Sequence, residues 1–547
     1  MKKNIILVFC LVTCIFGQKP AFANNLAVEN VSLVDKNMTN DTYDIQFDIA
    51  WDNCWFITGA PSATANWDTA WVFAKFSKST DSGATWSDWA HCTLLNTGNT
   101  APSGSQMSFG ATDSVYKGVF IYRSSAGSGS VDWDDAEIRW AYGTDGVGDT
   151  DTVKVKLFAM EMVYIPTGNF YVGDGTSTNI RGQFEAQTSG SAFEVTSEGA
   201  LTLGGGGAGS LGNNNGGGMS PADDFNDSTS QTLPAGFPKG YNAFYIMKYE
   251  ISQGQYRDFL NTLTRTQQNT RTASQTADRF VMVNTTSILQ RDGIRAPSAI
   301  PSGAITFGCD LDADKTFNES DDGEWIACHH SPWMDVAAYT DWAALRPMTE
   351  LEFEKAARGG QTPVANEYAW GDATVESATT SLTNAGTTSE VPNQGNLNYS
   401  SSSPDGPFRV GSFADASSTR ANAGAGYYGA LELSGSVYER AVSVGNSTGR
   451  LFTGTHGDGL LTTTTGYEGN ATNTDWPGID ATSARGVTGA TGARVEDVLR
   501  GKVWAAGDET RRPSKRQKDL ADIMRLVEMK KGLVSLVPAV LRKKLSI

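Results

Sequence analysis

The stretch DLDADKTFNESD places Asp310, Asp312 and Asp314 at alternate positions, and Asp321 closes the run at its twelfth residue. Carboxylates at positions 1, 3, 5 and 12 of a loop are the donor pattern that holds a hard divalent cation such as calcium. Lys315 stands where the sharp turn favours Gly, and Asp321 replaces the usual bidentate Glu. Calcium binding is the expectation, and a solvated acidic surface loop is the rival. Cys309 and Cys328 bracket the segment, so a disulfide between them would close the same loop. The following CHH, Cys328 to His330, is not a metal-ligand spacing, and structural roles are expected for it.

Other thiols follow from the leader. Lys2-Lys3, an apolar run to Gly17 and Ala21-Phe22-Ala23 read as a secretory signal over residues 1–23. Its removal leaves Cys54, Cys92, Cys309 and Cys328, an even number that argues for disulfides in an exported protein. Proximity favours Cys54–Cys92 and Cys309–Cys328 among the three pairings. A formal charge of −17 disfavours nucleic acid and anionic membrane as partners. Residues 495–547 differ, with 13 Lys and Arg against 7 Asp and Glu. A basic amphipathic helix in this tail is the one segment suited to membrane contact.

The elements that must position these groups fall into two regions. From 24 to 159, YDIQFDIAW, TAWVFAKFS, GVFIYRS, EIRWAYG and VKVKLFAM alternate apolar and polar residues between Gly, Ser and Asp turns. An all-β sandwich is expected. Its Trp51, Trp55, Trp67, Trp71, Trp86 and Trp89 offer either a stacking platform for sugars or packed aromatic core. Residues 160–494 read as α+β, interrupted by a Gly-rich surface insertion at 199–220. Ser252-Gln253-Gly254-Gln255 and Thr349-Glu350-Leu351-Glu352 have capping-box spacing ahead of amphipathic helices. A third helix is expected from Ser331-Pro332, with Ser331 as its cap.

The succession MVYIPTGNFYVGDG, FYIMKYEISQGQYRDFL, SPWMDVAAYTDWAALRPMTELEFEKAARGG, EYAWGD, FRVGSF and YYGALELSGSVYE resembles the formylglycine-generating enzyme, or sulfatase-modifying factor, family. The resemblance implies a C-type-lectin-like fold and makes the TELEFEKAARGG helix a scaffold element. It also implies structural calcium, with Asn384, Ala385, Asp405 and Pro407 in matching places at one site. Glu432, Gly435, Val437 and Glu439 match a second, although Ser436 and Tyr438 depart from the family's Asn and Trp.

Family catalysis uses a reactive cysteine pair near the domain's C-terminus, and this sequence has no Cys after Cys328. Serine and threonine lack the accessible pKa and the copper affinity of a thiolate. The His cluster of related iron enzymes is absent too. Neither copper nor iron is therefore expected, and no catalytic residue is assigned. Past Arg494 the family's Arg-Gly-Gly strand is missing, and a frameshift there would explain the basic tail.

The expectation is an exported, non-catalytic recognition protein, secreted, periplasmic or on the cell surface, that binds a glycan or protein. Some retroelement-diversified proteins resemble this family, and the chain fits that type. The alternative is a sulfatase-modifying or related oxidoreductase enzyme.

Overall fold

The computed structural model describes residues 25–479, except 60–64, 113–114, 176–182, 214–228, 377–380, 399–403 and 438. The expected leader, part of the Gly-rich insertion and the basic tail lie outside the described residues. Among the described residues no helix is long and apolar enough to cross a membrane.

Eight strands form in the first region: β1 Ala27–Asn37, β2 Thr42–Ile57, β3 Asn66–Ser79, β4 Ala90–His91, β5 Ser105–Thr112, β6 Val115–Arg123, β7 Gly127–Trp140 and β8 Thr152–Ile165. Antiparallel pairing joins β1, β2 and β7 in one run and β5, β6, β3 and β8 in another. The two runs meet where Phe56 of β2 pairs Trp67 of β3. β8 continues unbroken through the expected boundary at 159/160. Its far end pairs the strand Phe244–Met247, Ile165 opposite Phe244 and Met162 opposite Met247. One sheet of nine strands therefore serves both regions.

β3 shows why. Successive side chains of a strand point to opposite faces. Ala70, Val72, Ala74 and Phe76 enter a core with Ile45, Phe47, Val119 and Ile138. Trp71 and Phe73, on the other face, enter a second core with Tyr256, Phe259, Tyr339 and Trp342. Both faces are buried, so the alternation marks two cores rather than core and solvent. Gly118 is required above Trp71, because a Cβ there would lie 2.4 Å from the indole.

Among the described residues four α-helices follow: α1 Gln253–Leu260, α2 Arg265–Arg271, α3 Trp333–Trp342 and α4 Glu350–Arg358. The capping boxes at Ser252 and Thr349 both form. A third box, Thr264 with Gln267, starts α2, which periodicity did not reveal. Pro332, not Ser331, is the N-cap of α3, and no side chain caps that end. Every charge of α4 has a local partner in the scaffold. Glu352 pairs Arg346, Glu354 pairs Arg358, Arg358 also pairs Glu367, and the Lys355 ammonium donates to the Pro166 and Gly240 carbonyls at 2.6 Å. Glu350 accepts the Val444 amide at 2.6 Å.

The Gly-rich stretch differs from a plain surface insertion. Leu201–Leu203 and Leu211–Asn213 are strands of a four-stranded sheet, and Leu203 and Leu211 are fully buried. Gly204, Gly205, Gly206 and Gly209 take positive φ and turn the chain between them.

Neither expected disulfide forms. Cys54, Cys92, Cys309 and Cys328 are free and buried. Each expected pair does share a core, Cys54 with Cys92 and Cys309 with Cys328. Bridging needs matched Cα separation and Cβ direction, which sequence proximity does not encode.

Candidate functional site

The helices cover only part of the outward face of β3. Beyond them Trp67, on the same face as Trp71 and Phe73, begins a half-buried aromatic row. Trp67 stacks on Tyr164 with centroids 3.7 Å apart and planes 7° apart, and on Tyr122 at 5.5 Å. Phe56 joins at one end, while Tyr245 and Phe120, 4.0 Å apart, continue the other. A cleft of about 260 Å³ opens beside Phe120 and Tyr245, with Arg346, Glu352 and His456 as its polar lining. A second cleft, about 240 Å³, lies between β8 and α1, with Glu161, Arg257 and Glu324 on its walls.

Of the six tryptophans read as platform or core, Trp51 and Trp71 are core. Lys154 lies over the Trp86 ring at 3.5 Å and Lys156 over Trp89 at 4.7 Å. Trp67 lies within the aromatic row and Trp71 packs against its Phe120 at 4.6 Å, while the other members are tyrosines and phenylalanines of β2, β6, β8 and the strand Phe244–Met247.

In the acidic loop, carboxylate oxygens of Asp310, Asp312 and Asp322 lie within 4.8 Å of one another, as do those of Asp312, Asp314 and Glu319. Asp322 therefore occupies the place expected for Asp321. The Asp322 amide donates to the Glu319 carbonyl at 3.2 Å, and Asp322 Oδ2 accepts the Glu319 amide at 2.7 Å. That turn points Asp322 inward and leaves Asp321 exposed. Asp322 is fully buried, and its Oδ1 has no hydrogen-bond partner among the described residues. Burial and the neighbouring Asp310, Asp312 and Glu319 push its pKa up to about 6. Lys315 adopts φ 77°, the conformation that glycine provides in such loops. Asp310 also pairs Arg295.

At the first position set implied by the resemblance, the Pro407 carbonyl accepts Arg291 Nη1 at 2.7 Å, and Arg291 pairs Glu390. A guanidinium thus sits against one of the expected calcium ligands. The Asn384 carbonyl accepts the Thr387 amide at 3.2 Å, Ala385 follows it, and Asp405 is exposed. At the second set, Glu432 Oε1 accepts the Gly411 amide at 2.6 Å. Glu250 accepts the Ser436 hydroxyl at 2.9 Å and the Val437 amide at 3.3 Å. Gly435 takes φ 94°, and Glu439 is buried.

A further group was not signalled by spacing. Asp292, His329 and His330 converge, although Asp292 lies far from the histidines in sequence. The one available hint was the adjacent histidine pair. Among the thiols, burial pushes Cys54, Cys92 and Cys309 well up from the ordinary range.

A family model for the sulfatase-modifying factor enzyme 1-like domain matches residues 206–525. The matched span starts in the Gly-rich stretch and runs past Arg494. No curated protein and no solved structure matches.

Proposed function

The chain belongs to the sulfatase-modifying factor enzyme 1-like family, and from that premise we propose that it is an exported, non-catalytic recognition protein. An N-terminal β-rich region and a lectin-like scaffold, joined through one shared sheet, together present a surface to a glycan or protein ligand. The half-buried aromatic row from Phe56 through Trp67 and Tyr164 to Phe120 carries this reading. Flat rings beside a cleft with a few polar groups suit the apolar faces of sugars.

The thiols do not fit the family's copper chemistry. A copper-binding or nucleophilic cysteine must be a reachable thiolate. Here the four described thiols are buried, and no Cys follows Cys328 in the sequence. Calcium is the cofactor we assign, at the acidic loop, where hard oxygen ligands converge.

Glycan and peptide arrays probed with the full chain test the proposal. Binding to a glycan class, lost in Trp67→Ala and Tyr164→Ala variants that melt like the parent, is the expected result. Copper-dependent oxidation of a cysteine peptide would overturn it.

A further inference from the structure

We propose that Asp292, His329 and His330 form a site for a divalent transition-metal ion of the zinc or iron(II) class. A carboxylate oxygen of Asp292 and a ring nitrogen from each histidine lie within 4.8 Å of one another. Ligand atoms sit about 2.0–2.2 Å from a zinc-sized ion, so modest side-chain rotations bring the three onto one centre. Two imidazoles and one carboxylate suit zinc, iron or nickel, whereas calcium takes oxygen donors. Three protein ligands leave further positions open. His330 is half-buried, while Asp292 and His329 are 1 % exposed.

The backbone on both sides is bent to achieve this convergence. Adjacent residues of an extended chain point apart. His330 instead takes φ 59°, which brings its ring centroid to 4.2 Å from that of His329. Asp292 ends a tight turn in which Gln290 and Arg291 have φ of 59° and 66°, and its amide donates to the Leu289 carbonyl at 3.1 Å. Turns with two positive φ angles favour Asn-Gly, not Gln-Arg. Tertiary contacts hold this one. Arg291 pairs Glu390 and donates to Pro407, and the Arg291 carbonyl accepts Gln253 Nε2 at 2.7 Å.

The site is separate from the acidic loop in chemistry, though close in the fold. Gly293, beside Asp292, accepts the Asp310 amide at 2.9 Å. The test must therefore distinguish the two.

The full chain, with calcium present to fill the acidic loop, is titrated with cobalt(II) and followed by its visible d–d absorption. One equivalent binding with nitrogen-ligand bands is expected. Asp292→Asn and His330→Ala weaken that binding by about tenfold or more, while Asp322→Asn leaves it unchanged. Circular dichroism confirms that the variants fold, and for any that does not, competition by zinc for cobalt on the parent chain, with metal content measured after gel filtration, supplies the readout. Absence of cobalt bands on the parent, or unchanged binding in both folded ligand variants, overturns the proposal.

Discussion

The Lys75 ammonium group donates to the carbonyl oxygen of Trp342 at 2.7 Å, so a side chain of β3 caps the last residue of α3. It also donates to the Gly459 carbonyl at 2.7 Å. A cation is favoured at a helix C-terminus, but this one is 1 % exposed. Burial lowers its pKa to about 7, with Asp341 acting in the opposite direction.

The sign of the resulting pH dependence is fixed. An unfolded lysine titrates near about 10.4. Between about 7 and 10 the unfolded chain binds more protons at this position than the folded one, so this contribution to stability rises with pH. Urea unfolding at several pH values should show that slope reduced in Lys75→Met relative to the parent. Identical slopes in the two proteins would show that Lys75 is not the group responsible.

Calcium at 100 times its dissociation constant should stabilise the folded chain by about 2.7 kcal/mol per site. Asp322→Asn should abolish the increment from the acidic loop, and Asp321→Asn should leave it in place. Thermal melts with calcium and with chelator decide between them; loss in the Asp321 variant alone would restore the simple twelve-residue reading.

The thiols should be reduced and shielded. In folded protein, Cys54, Cys92, Cys309 and Cys328 should resist an aqueous thiol reagent, and denaturation without reductant should expose all four. Peptide mapping that found either Cys54–Cys92 or Cys309–Cys328 linked would contradict the structure.

Arg358 lies between Glu354 and Glu367, with its side chain 1 % exposed. Its replacement by Met leaves two carboxylates without their cation and should cost about 3–5 kcal/mol. Adding Glu354→Gln and Glu367→Gln should recover much of that loss, since the uncompensated charges are then gone. A single variant as stable as the parent in urea would show that the triad contributes little.

Local chemistry was readable from the sequence alone. The helices α1 and α4 announced themselves because a capping box is complete within four residues, as Ser252 with Gln255 and Thr349 with Glu352. Strands β2, β3, β6, β7 and β8 were legible from period-two alternation, whereas β1, β4 and β5 were not, and the succession of motifs carried the family. Tertiary structure decided which groups meet. Alternation in β3 could not say that both faces would be covered, because the covering helices lie some 180 residues and more downstream. The acidic loop was visible, but a turn at Glu319–Asp322 chose Asp322 over Asp321 as the inward carboxylate. Asp292 reached His329 and His330 through a turn clamped by Glu390 and Pro407, far along the chain. Caps and periodicity depend on neighbours a few residues away, whereas the direction of a loop side chain depends on distant packing partners that no local pattern records.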